Sequence, residues 1–346
     1  MTTAGDAHQE DDRAAILTSA EFSDIEIIHN LEAGKPLAVA VSGGPDSMAL
    51  CYLLSQWVGR NGTQIHALTV DHGLRPEAAK EAAQVGDWLA NWPHIRHVTL
   101  TRETVGDQDS RIMEDARHDR YAMMADYCAQ QGIENLMVAH HRDDQAETFL
   151  FRLAKGSGLD GLACMRTAQP YNDDLTILRP LLPYSKADLV AVCEDNMLPY
   201  IEDPSNKSEN FARPRLRKIA AALAEEGLTP KRLSVTATRM ARARQALEEI
   251  TEDIFARAVQ QSDMDTMALD YDFLMKQPAE IRLRVVLKLM DTLGPNRNYA
   301  PRMEKCEDLE SRIFGNAHFK AATLGGVIFR LDKAENILLA EKEISA

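Results

Sequence analysis

Between residues 37 and 196 the chain alternates short apolar runs with longer segments whose apolar residues recur at helical spacing. Residues 37–41, 65–70, 95–101, 135–139 and 176–180 are short, continuous and rich in Val, Ile and Leu, and read as strands. Helices are predicted between and around them: one at 23–31, one from Met48 to a turn at 59–62, then 77–91, 113–131, 143–155 and 185–196. Pro76 suits a first helical turn, and Gly132 marks a helix end. Residues 156–161 read as a flexible glycine loop. Regular strand–helix alternation predicts an α/β fold, a parallel sheet with helices on both faces. Beyond Tyr200 the pattern changes. Helices are predicted at 215–226, 231–259, 279–293 and 301–312, then short strands at 320–324, 326–331 and 336–340. The expected organisation is an acidic tail over 1–20, an α/β domain over 21–220 and a smaller, mostly helical α+β domain over 221–346.

In such a sheet, ligands gather beyond the carboxyl ends of the strands, where the strand order reverses. Polar clusters fall at these ends. Ser42-Gly43-Gly44-Pro45-Asp46-Ser47 joins the first strand to a helix. A tight glycine turn there aims backbone N–H groups and the helix dipole at one place, which suits a phosphate. Gly43 and Gly44 let backbone approach the anion, and Ser42 and Ser47 add hydroxyl donors. The loop itself matches neither G-x-G-x-x-G nor G-x-x-x-x-G-K-[ST]. Asp46 would repel a phosphate unless Mg²⁺ lies between them; the other reading is that it caps the helix. Asp71 and His72 end the second strand.

The fourth strand delivers His140-His141-Arg142-Asp143-Asp144-Gln145-Ala146-Glu147. Asp144 and Glu147 share a helix face, and with His140 they make a Mg²⁺ or general-base site, or else acids favoured by a helix N-terminus. Arg117 and Arg120 lie near a helix start, where cations oppose the dipole; they face either an anion or the neighbouring Glu114 and Asp119. Arg213, Arg215 and Arg217, ahead of another helix, either grip RNA phosphates or belong to a solvated linker.

Charge narrows the picture. The net charge of −14 argues against indiscriminate coating of nucleic acid, yet residues 207–244 carry ten Lys and Arg against Glu209, Glu225 and Glu226. The five cysteines are scattered and form no C-x-x-C, which argues against zinc, an iron–sulfur cluster or a disulfide framework and points to a reducing cytoplasm. No apolar run approaches the ~20 residues of a membrane span, and the N-terminus lacks the pattern of a signal peptide. No membrane association is expected.

Taken in order, SGGPDS at 42–47, VDHGLRPEA at 70–78, EDARHDRY at 114–121, AHHRDDQAETFLFRLAKGSGLDGL at 139–162, RPLL at 179–182 and EDPSN at 202–206 resemble the tRNA(Ile)-lysidine synthetase family of N-type ATP pyrophosphatases. The resemblance covers about residues 20–225. It implies an adenine nucleotide α-hydrolase-like fold and a cytoplasmic ligase that uses ATP and Mg²⁺. The wobble cytidine of the CAU-anticodon isoleucine tRNA would be adenylated at its C2 oxygen, and free L-lysine would then displace AMP. It places Ser42, Gly43, Gly44, Pro45, Asp46, Ser47 and Arg117 at ATP, and Mg²⁺ on Asp46. Asp46, His140, Asp144 and Glu147 would be catalytic, with either Asp144 or Glu147 relieving lysine of a proton. Arg213, Arg215 and Arg217, with the C-terminal domain, would meet tRNA. Two departures stand out: Pro214 replaces the Asn usual between the first two of these arginines, and only the first of two C-terminal domains is expected. A homodimer is compatible with the resemblance. The rival readings ask for features not seen. A tRNA thiolase of the same loop class needs paired cysteines, and a GMP-synthetase-type amidotransferase needs a glutaminase cysteine. A non-catalytic nucleotide-binding module has no need of Asp46, Asp144 and Glu147.

Overall fold

The computed structural model describes residues 17–59, 62–71, 73, 76–101, 112–201, 222–294, 301–316 and 318–343. Residues 1–16 of the expected tail, His72, the EDPSN segment and Arg213, Arg215 and Arg217 lie outside the described residues, as does the side chain of Arg117, while the last residues of that tail enter the first helix. The chain divides into two compact units, 1–241 and 242–346. Their division falls inside a long helix, beyond the 220/221 boundary read from sequence.

The first unit holds β1 (Leu37–Ala40), β2 (Ile65–Asp71), β3 (Ile95–Thr101), β4 (Asn135–Met137), β5 (Ala168–Pro170) and β6 (Thr176–Leu178) in one sheet, in the order β3-β2-β1-β4-β6-β5. All pairings are parallel except the edge pair β5–β6, a strand the hydrophobic pattern did not reveal because Ala168-Gln169-Pro170 is fully exposed. Its helices are α1 (Ser19–Ser23), α2 (Glu26–His29), α3 (Pro45–Val58), α4 (Pro76–Leu89), α5 (Ile112–Gln131), α6 (Arg142–Ala154), α7 (Leu159–Leu162), α8 (Lys186–Asp195) and most of the first half of α9 (Pro230–Ala258). The single helix expected at 23–31 is two, because Asp24 ends one and Ile25, in extended backbone, starts the other. The glycine loop at 156–161 contains the start of α7, capped by Gly158.

β1 shows why the sheet is covered on both faces. Leu37 and Val39 pack with Met48, Leu50 and Leu54 of α3 and with Leu189 of α8. Ala38, pointing the other way, packs with Met124 and Cys128 of α5. A strand buried on both faces has no polar alternation, as its sequence shows. The strand order reverses between β1 and β4, so the ends of these two neighbours frame the crevice where the polar clusters emerge.

The second unit is α+β. Its sheet, β7 (Val259–Ser262), β8 (Thr266–Asp270), β9 (Ala321–Leu324), β10 (Val327–Asp332) and β11 (Ile337–Lys342), is antiparallel in the order β7-β8-β11-β10-β9. α10 (Tyr271–Met275), α11 (Ala279–Leu293) and α12 (Met303–Gly315) accompany it, and Val285, Leu289, Ile313, Phe329 and Leu338 are buried in a common core. β7 and β8 were not read from sequence. Among the described residues no helix is long and apolar enough to cross a membrane.

Candidate active site

The ladder from β2 carries β1 one residue past its end: Val41 N donates to Leu68 O at 2.9 Å. The Val41 carbonyl accepts from Thr69 Oγ1 at 2.8 Å, and that hydroxyl lies 2.9 Å from His97 Nε2. A buried polar chain across β3 and β2 thus fixes the point where the loop departs. The turn follows at Gly43, whose φ of +85° is a left-handed conformation. A Cβ there would lie 2.8 Å from Val85 Cγ2 and 2.9 Å from Ile201 Cδ1, so both space and backbone demand glycine. Ile201 N donates to the Gly43 carbonyl at 2.8 Å. Gly44 is the N-cap of α3 and Pro45 its first residue, with no side chain accepting from the helix start. The first-turn N–H groups are therefore left for another acceptor. Ser47 Oγ donates to the Gly44 carbonyl at 3.0 Å, accepts from Ser42 N at 3.2 Å and lies 3.3 Å from Ser42 Oγ. Asp46 is not the cap. Its carboxylate turns to the end of β4.

There α6 opens with an unusual capping box. The His141 imidazole Nδ1 accepts from Asp143 N at 3.3 Å, and Asp144 Oδ2 accepts from His141 N at 3.1 Å. An Nδ1 that accepts leaves the proton of a neutral ring on Nε2. Nε2 lies 3.5 Å from Asp144 Oδ2 and 3.7 Å from Asp46 Oδ2, while Asp143 Oδ2 is 3.5 Å from Nδ1. Lys186, the first residue of α8, joins them: its N–H donates to Asp143 Oδ2 at 2.9 Å and its ammonium is 3.8 Å from Asp46 Oδ2. Arg142 N donates to the Tyr184 carbonyl at 2.7 Å, tying the starts of α6 and α8 together.

Three carboxylates around one buried imidazole pull against each other. Burial pushes the Asp46 carboxyl up, more than His141 and Lys186 hold it down. Burial pulls His141 down, but Asp143, Asp144 and Asp46 outweigh it and leave the imidazole above its ordinary value. Burial likewise works against Asp143, yet the His141 side chain and the Lys186 N–H hold it below the usual carboxylate range. Asp46 Oδ1 is buried with no hydrogen-bond partner among the described residues. Such a lone acceptor costs about 1–3 kcal/mol in general and so calls for a partner beyond the described side chains.

Of the residues expected from sequence, the loop 42–47, Asp144 and the half-buried Glu147 all lie at this crevice or on the helix leaving it. His140 is half-buried, one residue before the cap; the imidazole beside Asp46 is that of His141. Arg117 lies on α5. The motif following His141 has structural work as well. Gln145 grips the backbone of Met165 through both amide atoms, at 3.0 and 2.9 Å, and Arg152 Nη1 donates to Gly161 O at 2.7 Å. Sequence reasoning missed His141, Asp143 and Lys186. The adjacent His-His pair was a signal for the first. For Lys186, no local pattern announces that α8 starts beside the loop. Among the described residues no group of three or more His, Cys, Asp or Glu is arranged to hold a metal on its own.

Comparison with known proteins gives this geometry a setting. Residues 18–223 match the PP-loop domain family. A tRNA(Ile)-lysidine synthase of Bradyrhizobium sp. strain BTAi1 is 39% identical over 268 residues, covering 75% of this chain and 74% of that protein. One from Methylobacterium sp. strain 4-46 is 38% identical over 316 residues, 89% of each chain. One from Wolbachia pipientis wMel is 34% identical over 304 residues, 88% of this chain and 70% of that protein. A solved structure of the U34-tRNA thiolase NcsA from Methanococcus maripaludis, with its [4Fe-4S] cluster, superposes with a TM-score of 0.54 at 16% identity, covering 70% of this chain and 80% of that one. At that identity the likeness is one of fold.

Proposed function

Because the chain belongs to the tRNA(Ile)-lysidine synthase family of PP-loop proteins, we infer that it is an ATP-dependent ligase that joins lysine to the wobble cytidine of the CAU-anticodon isoleucine tRNA. The observation that carries this reading is the meeting of the loop and the carboxylate cluster at the ends of β1 and β4. In the first step the cytidine C2 oxygen attacks the α-phosphate of ATP and pyrophosphate leaves. The uncapped start of α3 and the glycine turn receive that pyrophosphate, since fixed donors stabilise charge as it builds on the leaving group. In the second step the lysine amine attacks C2 and expels AMP. An ammonium is no nucleophile, so it must first lose a proton. Asp144 or Glu147 would bind it and take that proton, with Asp143 held toward its ionised form nearby.

The residues present fit Mg²⁺. The cation takes oxygen ligands and is commonly held by one or two carboxylates plus substrate phosphates, and Asp46 Oδ1 is a buried carboxylate oxygen with no partner among the described residues. Bound there, Mg²⁺ would neutralise charge on the departing pyrophosphate. Arg117 is assigned to ATP, and Arg213, Arg215 and Arg217 to tRNA.

The test is mass spectrometry of tRNA after incubation with the protein, ATP and isotopically labelled lysine. Label at the wobble cytidine, with one AMP and one pyrophosphate per lysine joined, is the expected result. Pyrophosphate release indifferent to tRNA, with no label transferred, overturns the reading.

A further inference from the structure

The solvent face of α9 changes sign along its length. Residues 232, 235, 239 and 242 follow steps of three and four and so lie on one helix face. They are Arg232, Val235, Arg239 and Arg242, all exposed, with exposed Lys231 beside them. From residue 248 the helix turns acidic, with Glu248, Glu249, Glu252 and Asp253. The two halves also differ in how their charges are satisfied. In the acidic half Gln245 Nε2 donates to Glu249 at 3.0 Å, Arg257 pairs with Asp253 at 3.1 Å and Lys288 pairs with Glu252. In the basic half Arg232 Nη1 donates to the Gly227 carbonyl at 3.3 Å and the buried Arg244 reaches Glu248 at 3.7 Å, while Arg239 and Arg242 have no hydrogen-bond or ion-pair partner among the described residues. Val235, between Arg232 and Arg239, is 43% exposed.

We propose that the first half of α9 is a docking strip for the phosphate backbone of tRNA. This rests on the reading of the chain as a tRNA-modifying ligase and adds a surface to it. A chain of net charge −14 repels a polyanion at most places on its surface. Arginines concentrated on one helix face, with Arg239 and Arg242 unpartnered among the described residues, then define where the polyanion can lie. Arg232 to Arg242 span about 15 Å at the rise of an α-helix, long enough to follow several phosphates of an RNA stem. Arginine suits phosphate through its planar fork of donors, and exposed Val235 keeps the face between the arginines free of competing acceptors. Double-stranded RNA is recognised mainly through its shape, backbone and 2′-hydroxyls. Contacts to phosphate position a nucleic acid without reading its sequence. The strip therefore contributes affinity for tRNA in general and no discrimination between isoleucine and methionine tRNA.

The test uses the full chain and unmodified isoleucine tRNA, with methionine tRNA in parallel. Arg239→Gln with Arg242→Gln should weaken binding of both tRNAs alike, by roughly tenfold at low salt, and reduce the slope of log affinity against log salt by about 2. ATP affinity and the thermal midpoint should not move, because both side chains are exposed. Glu249→Gln, on the acidic half, should leave tRNA binding and its salt slope unchanged. Wild-type affinity and slope in the double variant overturn the strip. So does a change of oligomeric state with tRNA binding unaltered, since the face would then serve a second copy of the chain. A wild-type protein that binds no tRNA overturns both the strip and the proposed function. A wild-type protein that makes lysidine, beside a double variant identical to it, overturns the strip alone.

Discussion

In the second unit, Arg282 Nε lies 2.7 Å from Glu310 Oε1, and its guanidinium stacks 5.1 Å over the Phe314 ring. Arg284 Nε lies 2.8 Å from Glu280. Around the loop of the first unit, the imidazole of His141 faces three carboxylates at 3.5–3.7 Å, and the nearest ammonium to Asp46 is 3.8 Å away. One Asp46 oxygen has no partner among the described residues. The first arrangement is closed: donor and acceptor meet at hydrogen-bond distance, as a partly buried pair must if it is not to weaken the fold. The second is held open. Its charges are near enough to shift each other's protonation and too far apart to satisfy each other. That is the expected signature of groups whose partners arrive with substrate.

The largest effect that can break this contrast is at Asp46. Asp46→Asn should abolish release of pyrophosphate in a single-turnover assay, because the neutral amide cannot take the cation-holding role proposed for the carboxylate. The same substitution should raise the thermal midpoint of the ligand-free protein, since burial makes the ionised carboxylate unfavourable in the fold. A variant that still turns over, or one that melts lower, would place Asp46 with the closed pairs. Next in size is Arg282→Met. It leaves Glu310, itself buried, without its cation. Because Arg282 keeps some exposure, the cost should fall below the ~3–5 kcal/mol of a fully buried pair. Urea denaturation should show that loss while ATP affinity is unchanged. Adding Glu310→Gln should recover much of it, and failure to recover would mean that the stacking on Phe314 matters more than the charge.

The same contrast explains what could be read from the chain beforehand. The loop at 42–47 was legible because its parts are contiguous: an apolar strand, a glycine that must take positive φ, and a helix start. α11 was legible over 279–293 because Ile281, Val285, Val286, Leu289, Met290 and Leu293 recur at helical spacing and are all buried. β7 was not, because Gln260-Gln261-Ser262 is polar and exposed, and the strand exists only by pairing with β8. The grouping of Asp46, His141, Asp143 and Lys186 was illegible for a different reason. It draws on the starts of three helices, α3, α6 and α8, that only the folded sheet brings together.

The smallest effect is also the sharpest measure of how open the cluster is. In the ligand-free protein, His141 is held above its ordinary 6.5. The folded state then binds that proton more tightly than the unfolded state does, so the contribution to stability is complete below pH 6.5 and is lost as pH rises through the higher folded value. Asp46, raised above 3.8, acts with the same sign at lower pH: stability declines as pH rises from 3.8 through its folded value. Asp143, lowered below 3.8, acts oppositely, stabilising above 3.8 and losing that contribution as pH falls through its folded value. Of the three, only the imidazole has an ordinary value near neutrality. His141→Asn keeps a good N-cap acceptor for the Asp143 N–H while removing the titration. Urea denaturation at a series of pH values should show wild-type stability declining above pH 6.5 and the variant flat over the same range. The acid limb of the variant should be shallower, because Asp143 loses the imidazole that does most to offset its burial and so gains less from staying ionised. An unchanged decline in the variant would mean that the three carboxylates do not hold a proton on His141, and that the cluster is as closed as the pairs of the second unit.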